Sequence, residues 1–426
     1  MGIILKNGTI WTGSSWFNGD ILIEKNLIVE ISENLTIDNN HLFFDLKGKV
    51  VAPGFIDLHV HLREPGFPEK ETIATGILAA VKGGFTTIAA MPNTKPVLDN
   101  LEVLNFVREK SKKINKVRLL PIASITKGEE GNELTDFATL QQNGIFALSD
   151  DGKGVQNSRL MYLAMVKAKE LNLPILAHTE DENLANKGVV HLGKVSSRFN
   201  LLGIPSEAET VQIARDLLLA EKTKVHYHVC HISTKEGVRL LREAKKLGIN
   251  VTAEVTPHHL LLNEEDILKL DSNYKMNPPL RSKEDQAALL KGILDGTIDI
   301  IATDHAPHTV EEKNQSFITA PFGIVGLEIA FPLLYTYLVL TKKITLELLL
   351  KLLSTNSAKA FNLPLGVIEV GKRADLVVLD LTKKEVVNKN KFLSKGKNTP
   401  FNGRELTGWP ILTIYDGKIV YSDIET

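Results

Sequence analysis

Chemistry-bearing residues are concentrated in Asp57-Leu58-His59-Val60-His61-Leu62-Arg63-Glu64-Pro65-Gly66, where an apolar run gives way to ionisable side chains. Side chains of a strand alternate between its faces, so the pattern predicts Phe55, Asp57, His59 and His61 on one face and Ile56, Leu58, Val60 and Leu62 on the other. Two imidazoles side by side can offer two nitrogens to one cation, and Pro65-Gly66 ends the strand with its tip open to a cleft. A histidine pair alone also suits a packed core, so a metal reading needs further ligands. They stand at the ends of other apolar runs: Asp150-Asp151, His178, His231 and Asp304. Four imidazoles and two carboxylates suffice for two cations. Two divalent ions roughly 3.5–4 Å apart can share a hydroxide, a strong nucleophile because its parent water is acidified towards a pKa of about 7. Nitrogen and carboxylate ligands suit zinc best, and manganese or cobalt could occupy the same shell.

Such residues converge only if the strands carrying them run parallel and end at one mouth. Eight strand-like runs begin near Val51, Thr86, Arg118, Ile145, Ile175, Val225, Val251 and Ile298, and the helices between them include Thr72 to Lys82, Leu160 to Leu171, Ser206 to Glu221 and Lys235 to Leu247. Eight strand–helix units predict a closed α/β barrel of the (β/α)8 TIM type, with its site at the C-terminal ends of the strands. The flanks have a different style. Ile3 to Lys6, Thr9 to Trp11, Asp20 to Glu24 and Leu27 to Ile31 read as short strands, and so do Ala374 to Asp380 and the hairpin around Asp416-Gly417. Each flank is too short for a core of its own. The expected organisation is therefore a small discontinuous β-sandwich domain made from residues 1–52 and 366–426, around a barrel of residues 53–365.

Composition limits the function classes. A chain of 426 residues with 43% hydrophobic content can bury a large core. Its 50 basic and 51 acidic residues give a net charge of -1, so no field draws in nucleic acid or an anionic membrane, and a small-molecule substrate fits better. A single cysteine, Cys230, excludes internal disulfides, and the first residues lack a basic region followed by a long apolar one, so a cytoplasmic protein is expected. No run of about 20 residues is apolar enough to cross a bilayer.

Other histidines read as structural. His226 and His228 have the opposite strand parity to His231 and are expected to face the surrounding helices. His258 and His259 follow Pro257 at the end of strand seven, where a hydrogen-bonded loop pair is the default and a ligand role the alternative. His41 and His191 read as surface residues, and Cys230 as a small buried hydrophobe.

The motifs together resemble the amidohydrolase superfamily, and within it the dihydroorotases of the bacterial class with an aspartate bridge. The segments that carry the resemblance are Asp57 to Gly66, Met91-Pro92-Asn93-Thr94, Ser149-Asp150-Asp151-Gly152, Lys275-Met276-Asn277-Pro278-Pro279-Leu280-Arg281 and Thr303-Asp304-His305-Ala306-Pro307-His308. The resemblance implies two zinc ions, one bound by His59, His61, Asp151 and Asp304 and the other by Asp151, His178 and His231, with Asp151 and a hydroxide as bridges. Many relatives bridge through a carboxylated lysine. Lys153 is the only lysine near the end of strand four and is the lesser alternative to Asp151. The implied reaction is the reversible closure of N-carbamoyl-L-aspartate to (S)-dihydroorotate in pyrimidine biosynthesis. Asp304 would be its general acid and base. Arg63, Asn93 and His308 would bind the substrate carboxylate, Asn277 the ring edge, and Pro321, Phe322 and Gly323 would form a substrate loop.

Allantoinases and dihydropyrimidinases share the barrel and the hydrolysis of a cyclic amide. Asn93, Asn277 and the aspartates ending strand four follow the dihydroorotase pattern instead. A non-catalytic scaffold for aspartate transcarbamoylase is a third reading, disfavoured because every expected ligand is retained. The expected assembly is a homodimer, with a complex with aspartate transcarbamoylase as the alternative.

Overall fold

The computed structural model describes residues 2–36 and 41–424. Eight parallel strands are hydrogen-bonded in sequence order: Phe55–Val60, Phe85–Ala90, Arg118–Ala123, Ala147–Leu148, Ile175–Ala177, Tyr227–Val229, Val251–Val255 and Ile300–Ile301. A bridge between Val60 and His305 joins the last strand's end to the first and closes the barrel. Helices such as Ile73–Lys82, Glu207–Thr223 and Lys235–Lys246 form the outer layer. Their apolar faces meet the outward side chains of the strands, including Phe55, Phe85, Ile175, Tyr227 and Val229. The inward side chains make a separate layer of Ile56, Leu58, Ala89, Ile122, Ala147, Leu176, Cys230 and Ile300, closed by Ala358 and Phe361.

Strands from both ends of the chain form one eight-stranded sheet in the order Lys418–Ser422, Glu405–Tyr415, Leu376–Val386, Val50–Pro53, Gly2–Trp11, Trp16–Glu24 and Leu27–Ser32, with His41–Asp45 also paired to Gly2–Trp11. It has its own core of Ile3, Leu5, Ile10, Ile21, Ile23, Leu376, Val378, Leu412 and Ile414. The halves meet where Leu376 to Leu379 pair antiparallel with Pro53 to Val50. Thus the run beginning at Val51 is two strands: Val50–Pro53 belongs to the terminal sheet, and the barrel starts at Phe55. Gly54 makes the transition where a Cβ would lie 2.2 Å from the Thr86 hydroxyl, so only glycine lets the chain pass this close to the second barrel strand.

Strand parity fails at two places. Phe55 faces the helices while His59 turns into the mouth, because the pairing of the first two strands is irregular between Asp57 and Val60. On strand six, His226 and His228 face the barrel interior and not the helices. Their rings lie 4.8 and 5.2 Å from that of Phe361, in the same layer as Cys230.

Candidate active site

The mouth at the C-terminal strand ends holds a cavity of about 320 Å³. Its wall contains His61, Arg63, Asn93, Asp151, His178, His231, Asn277, Asp304, His308, Pro321, Phe322 and Gly323, and His59 is fully buried beneath it. The residues singled out from the sequence are thus brought to one place. The backbone that delivers several of them is not strand. Arg63, His231 and Asp304 have φ of 58, 33 and 47°, a left-handed conformation that disfavours residues other than glycine and is typical of functional sites. The turn at His231, not its parity, swings the ring into the mouth.

Asp151 is the centre of the cluster. Its Oδ1 lies 3.3 Å from His59 Nε2, 3.7 Å from His231 Nε2 and 3.9 Å from His178 Nδ1, and its Oδ2 is 3.4 Å from His61 Nε2. Asp304 Oδ1 lies 3.1 Å from His61 Nε2 and 3.5 Å from His59 Nε2. Two groups of three ligand atoms therefore share Asp151: one with His59 and His61, the other with His178 and His231. Among the described residues His59 Nε2 and Asp151 Oδ1 are buried without a hydrogen-bond partner, and His178 Nδ1 faces His231 Nε2 at 3.0 Å. Buried polar atoms left idle in this way are costly unless something binds them. The donor set fits divalent metal ions.

The alternatives at strand four separate cleanly. Asp150 accepts from Ile125 N, Thr126 N and the Thr126 hydroxyl, so its oxygens are committed to a loop. Lys153 is exposed and donates to the Glu129 carbonyl, outside the cluster. Cys230, His59 and Glu254 also converge, but burial pushes the Cys230 thiol up and both Glu254 oxygens bind histidines.

Several residues outside the expected ligand set support the cluster. Glu254 Oε1 lies 2.6 Å from His59 Nδ1, which leaves His59 Nε2 for the mouth, and Glu254 Oε2 lies 3.1 Å from His228 Nε2. Burial opposes charge on Glu254, but His59 and the bonds from both histidines outweigh it and hold its carboxyl well below the usual range. Its signal is a lone acid in the otherwise uncharged strand Val251–Val255. Glu180 accepts from Asn277 Nδ2 at 2.7 Å and so leaves Asn277 Oδ1, buried and unpartnered among the described residues, as an acceptor on the cavity wall. Asn93 lies between ligands: its Oδ1 is 2.8 Å from His61 Nδ1 and its Nδ2 donates to Asp151 Oδ2 at 3.3 Å. Asp57 lies below, tying strand eight to strand one through Thr303 N, and burial raises its carboxyl to about 7.

His259 is satisfied by the Thr256 hydroxyl and the Pro278 carbonyl, whereas His258 Nε2 is buried without a partner among the described residues. His191 is buried rather than at the surface, accepting from Arg281 Nη1 at 3.2 Å. For Asp304, burial opposes the charged form, but the hydrogen bond from His61 and the charges of His59 and His61 outweigh it and bring its carboxyl down to about 2. Arg63 donates to the Pro307 carbonyl at 3.2 Å and approaches His308 Nε2 at 3.4 Å. Among the described residues no carboxylate forms an ion pair with it.

Residues 48–237 match the Dihydro-orotase-like family and residues 281–421 the Amidohydrolase family. The L-hydantoinase (dihydropyrimidinase) from Arthrobacter aurescens superposes with a TM-score of 0.88 at 25% identity, covering 100% of this chain and 97% of the other. A D-hydantoinase from Thermus sp. superposes with a TM-score of 0.83 at 28% identity, covering 99% of this chain and 95% of the other. Barrel, terminal sheet and donor cluster thus define an enzyme of the amidohydrolase superfamily. Dihydroorotases from Geobacillus sp. (strain WCH70) and Anoxybacillus flavithermus are 56% and 57% identical over 99% and 94% of the chain, and the same shares of their own lengths. The chain belongs to the dihydroorotase family.

Proposed function

We propose that this enzyme is a dihydroorotase that interconverts N-carbamoyl-L-aspartate and (S)-dihydroorotate in pyrimidine biosynthesis, with two zinc ions. One ion would be held by His59, His61, Asp151 and Asp304, the other by Asp151, His178 and His231. Bound there, the pair would supply Lewis acidity to the ring amide carbonyl and to water. The rest is the work of side chains. Asp304 would take the proton released on attack at the carbonyl and deliver it to the departing amide nitrogen, and the reverse in ring closure. Asn277, its amide held by Glu180, would accept from a ring N–H.

The observation that carries the substrate assignment is Arg63, a guanidinium on the cavity wall that no carboxylate of the described residues pairs with. Dihydroorotate carries a carboxylate that dihydrouracil and hydantoin lack, and an Arg fork is suited to bind it. His308 completes this corner, kept neutral because burial, with Arg63, Lys70 and Lys313 nearby, lowers it to about 2. Pro321, Phe322 and Gly323 would flank the ring.

Purified protein, with bound metal quantified, tests the proposal on dihydroorotate, dihydrouracil, hydantoin and allantoin. Turnover of dihydroorotate far above the others, with about two metals per chain, is the expected result. Preference for an uncharged ring would move the assignment to the dihydropyrimidinase branch. The proposal extends to a cytoplasmic homodimer, with a complex with aspartate transcarbamoylase as the alternative; sedimentation with and without that enzyme separates them. Among the described residues no helix is long and apolar enough to cross a membrane.

A further inference from the structure

The cavity wall at Pro321, Phe322 and Gly323 has no helix or strand to stiffen it, yet its backbone carbonyls are bound almost one after another. Lys275 Nζ donates to Ile318 O at 2.8 Å and Ala320 O at 2.6 Å. Lys313 Nζ donates to Pro321 O at 3.0 Å, Gly323 O at 3.1 Å and Lys275 O at 3.3 Å. His308 Nε2 meets the carbonyl between them, Phe322 O, at 2.8 Å, and Gly323 N donates back to Lys275 O at 3.0 Å.

Both lysines are buried, at 3% and 6% exposure, and among the described residues neither forms an ion pair with a carboxylate. Lysine is seldom buried without such a partner, because its head group must be desolvated. Here the carbonyls replace water, and Lys275 Nζ also sits 4.6 Å from the Phe322 ring centroid, a cation–π contact with a residue of the wall itself. Such an arrangement does nothing for the barrel core. Four of the five lysine bonds run to residues 318–323, of which Pro321, Phe322 and Gly323 line the cavity.

We propose that Lys275 and Lys313 are positioning residues that hold segment 318–323 as a preformed wall for the substrate ring. The inference rests on reading this cavity as the substrate site. Preforming the wall spares the ordering of the segment when substrate binds, so its loss falls on KM more than on kcat. A lysine that merely filled space would be replaced by methionine with little change in either.

The test compares wild type with Lys313→Met and Lys275→Met, each checked for metal content and thermal unfolding. Hydrogen exchange is followed in peptides spanning 316–325 and, as a control, the strand-eight peptide 298–303. The expected result is exchange of the 316–325 peptide faster by about tenfold or more with the control unchanged, and KM for dihydroorotate raised about tenfold with kcat within about threefold. Wild-type exchange and KM in either folded variant would overturn the proposal. If neither variant folds, Lys313→Arg and Lys275→Arg, which keep N–H donors but displace them, carry the same comparison and the same overturning result. If wild type turned over no dihydroorotate, the substrate assignment would fail, while the exchange data would still decide whether the lysines hold the wall.

Discussion

The two ends of the barrel interior hold the same residue type in opposite states. At the mouth formed by the strand ends, His59, His178 and His231 each present a ring nitrogen to Asp151; among the described residues that of His59, Nε2, is buried without a partner, while those of His178 and His231 meet each other. Towards the other end, His226 and His228 meet the Thr252 hydroxyl at 2.8 and 2.7 Å, His228 uses its second nitrogen on Glu254, and both rings pack on Phe361. An imidazole with both nitrogens engaged cross-links strands, whereas one with an idle nitrogen is ready to ligate. The backbone makes the difference. His228 lies within the regular strand Tyr227–Val229, while His231 and Asp304 sit in left-handed turns that aim them at the cavity. Glu254 joins the two ends, orienting His59 above while binding His228 below.

If that contrast is right, changes at the upper end should remove activity and spare the fold, and changes at the lower end should do the reverse. The largest effect is expected for Asp304→Asn, with turnover lower by about 10²–10⁴-fold in both directions and thermal unfolding near wild type. Near-normal rates in a folded, metal-loaded variant would remove Asp304 from proton transfer. At the lower end, Phe361→Ala should cost about 3–5 kcal/mol in urea unfolding while kcat at moderate temperature changes little, because Phe361 closes the interior layer. An intact denaturation midpoint would mean that the ring is not a plug. Arg63→Met should raise KM for dihydroorotate about 10- to 100-fold, the worth of charge-assisted hydrogen bonds, and leave any weak activity on dihydrouracil unchanged. An equal loss on both rings would make Arg63 a structural residue.

The smallest effect concerns pH. Burial, reinforced by His228, lowers His226 from 6.5 to about 4. Between those values the unfolded chain binds a proton that the folded chain refuses, so stability falls as pH drops from 6.5 towards 4. His226→Gln should flatten that part of the denaturation profile without altering turnover at neutral pH. An unchanged acid slope would show that His226 does not titrate on unfolding.

Much of this is legible in the sequence. The eight apolar runs and intervening helical patterns specify a parallel barrel, because strands buried on both faces read as continuous apolar segments. Ionisable residues at their ends then point to one mouth, and so His59, His61, Asp151, His178, His231 and Asp304 could be singled out. Parity, however, is a rule for unbroken strands. It misplaced Phe55, His226 and His228 because pairing slips after Asp57 and the chain turns left-handed at His231.

The residue types, their order along the chain and the alternation that brings them to one end of a barrel were determined by the sequence alone, since hydrophobic periodicity and turn chemistry act over a few neighbouring residues. Only the tertiary structure decided that Glu254 and Asn93 orient the histidines of the cluster and that, among the described residues, no carboxylate pairs with Arg63. Those outcomes depend on partners far apart in the chain, His59 and Glu254 being 195 residues apart. No local pattern encodes such a pairing; it exists once the barrel closes and buried polar groups must find one another.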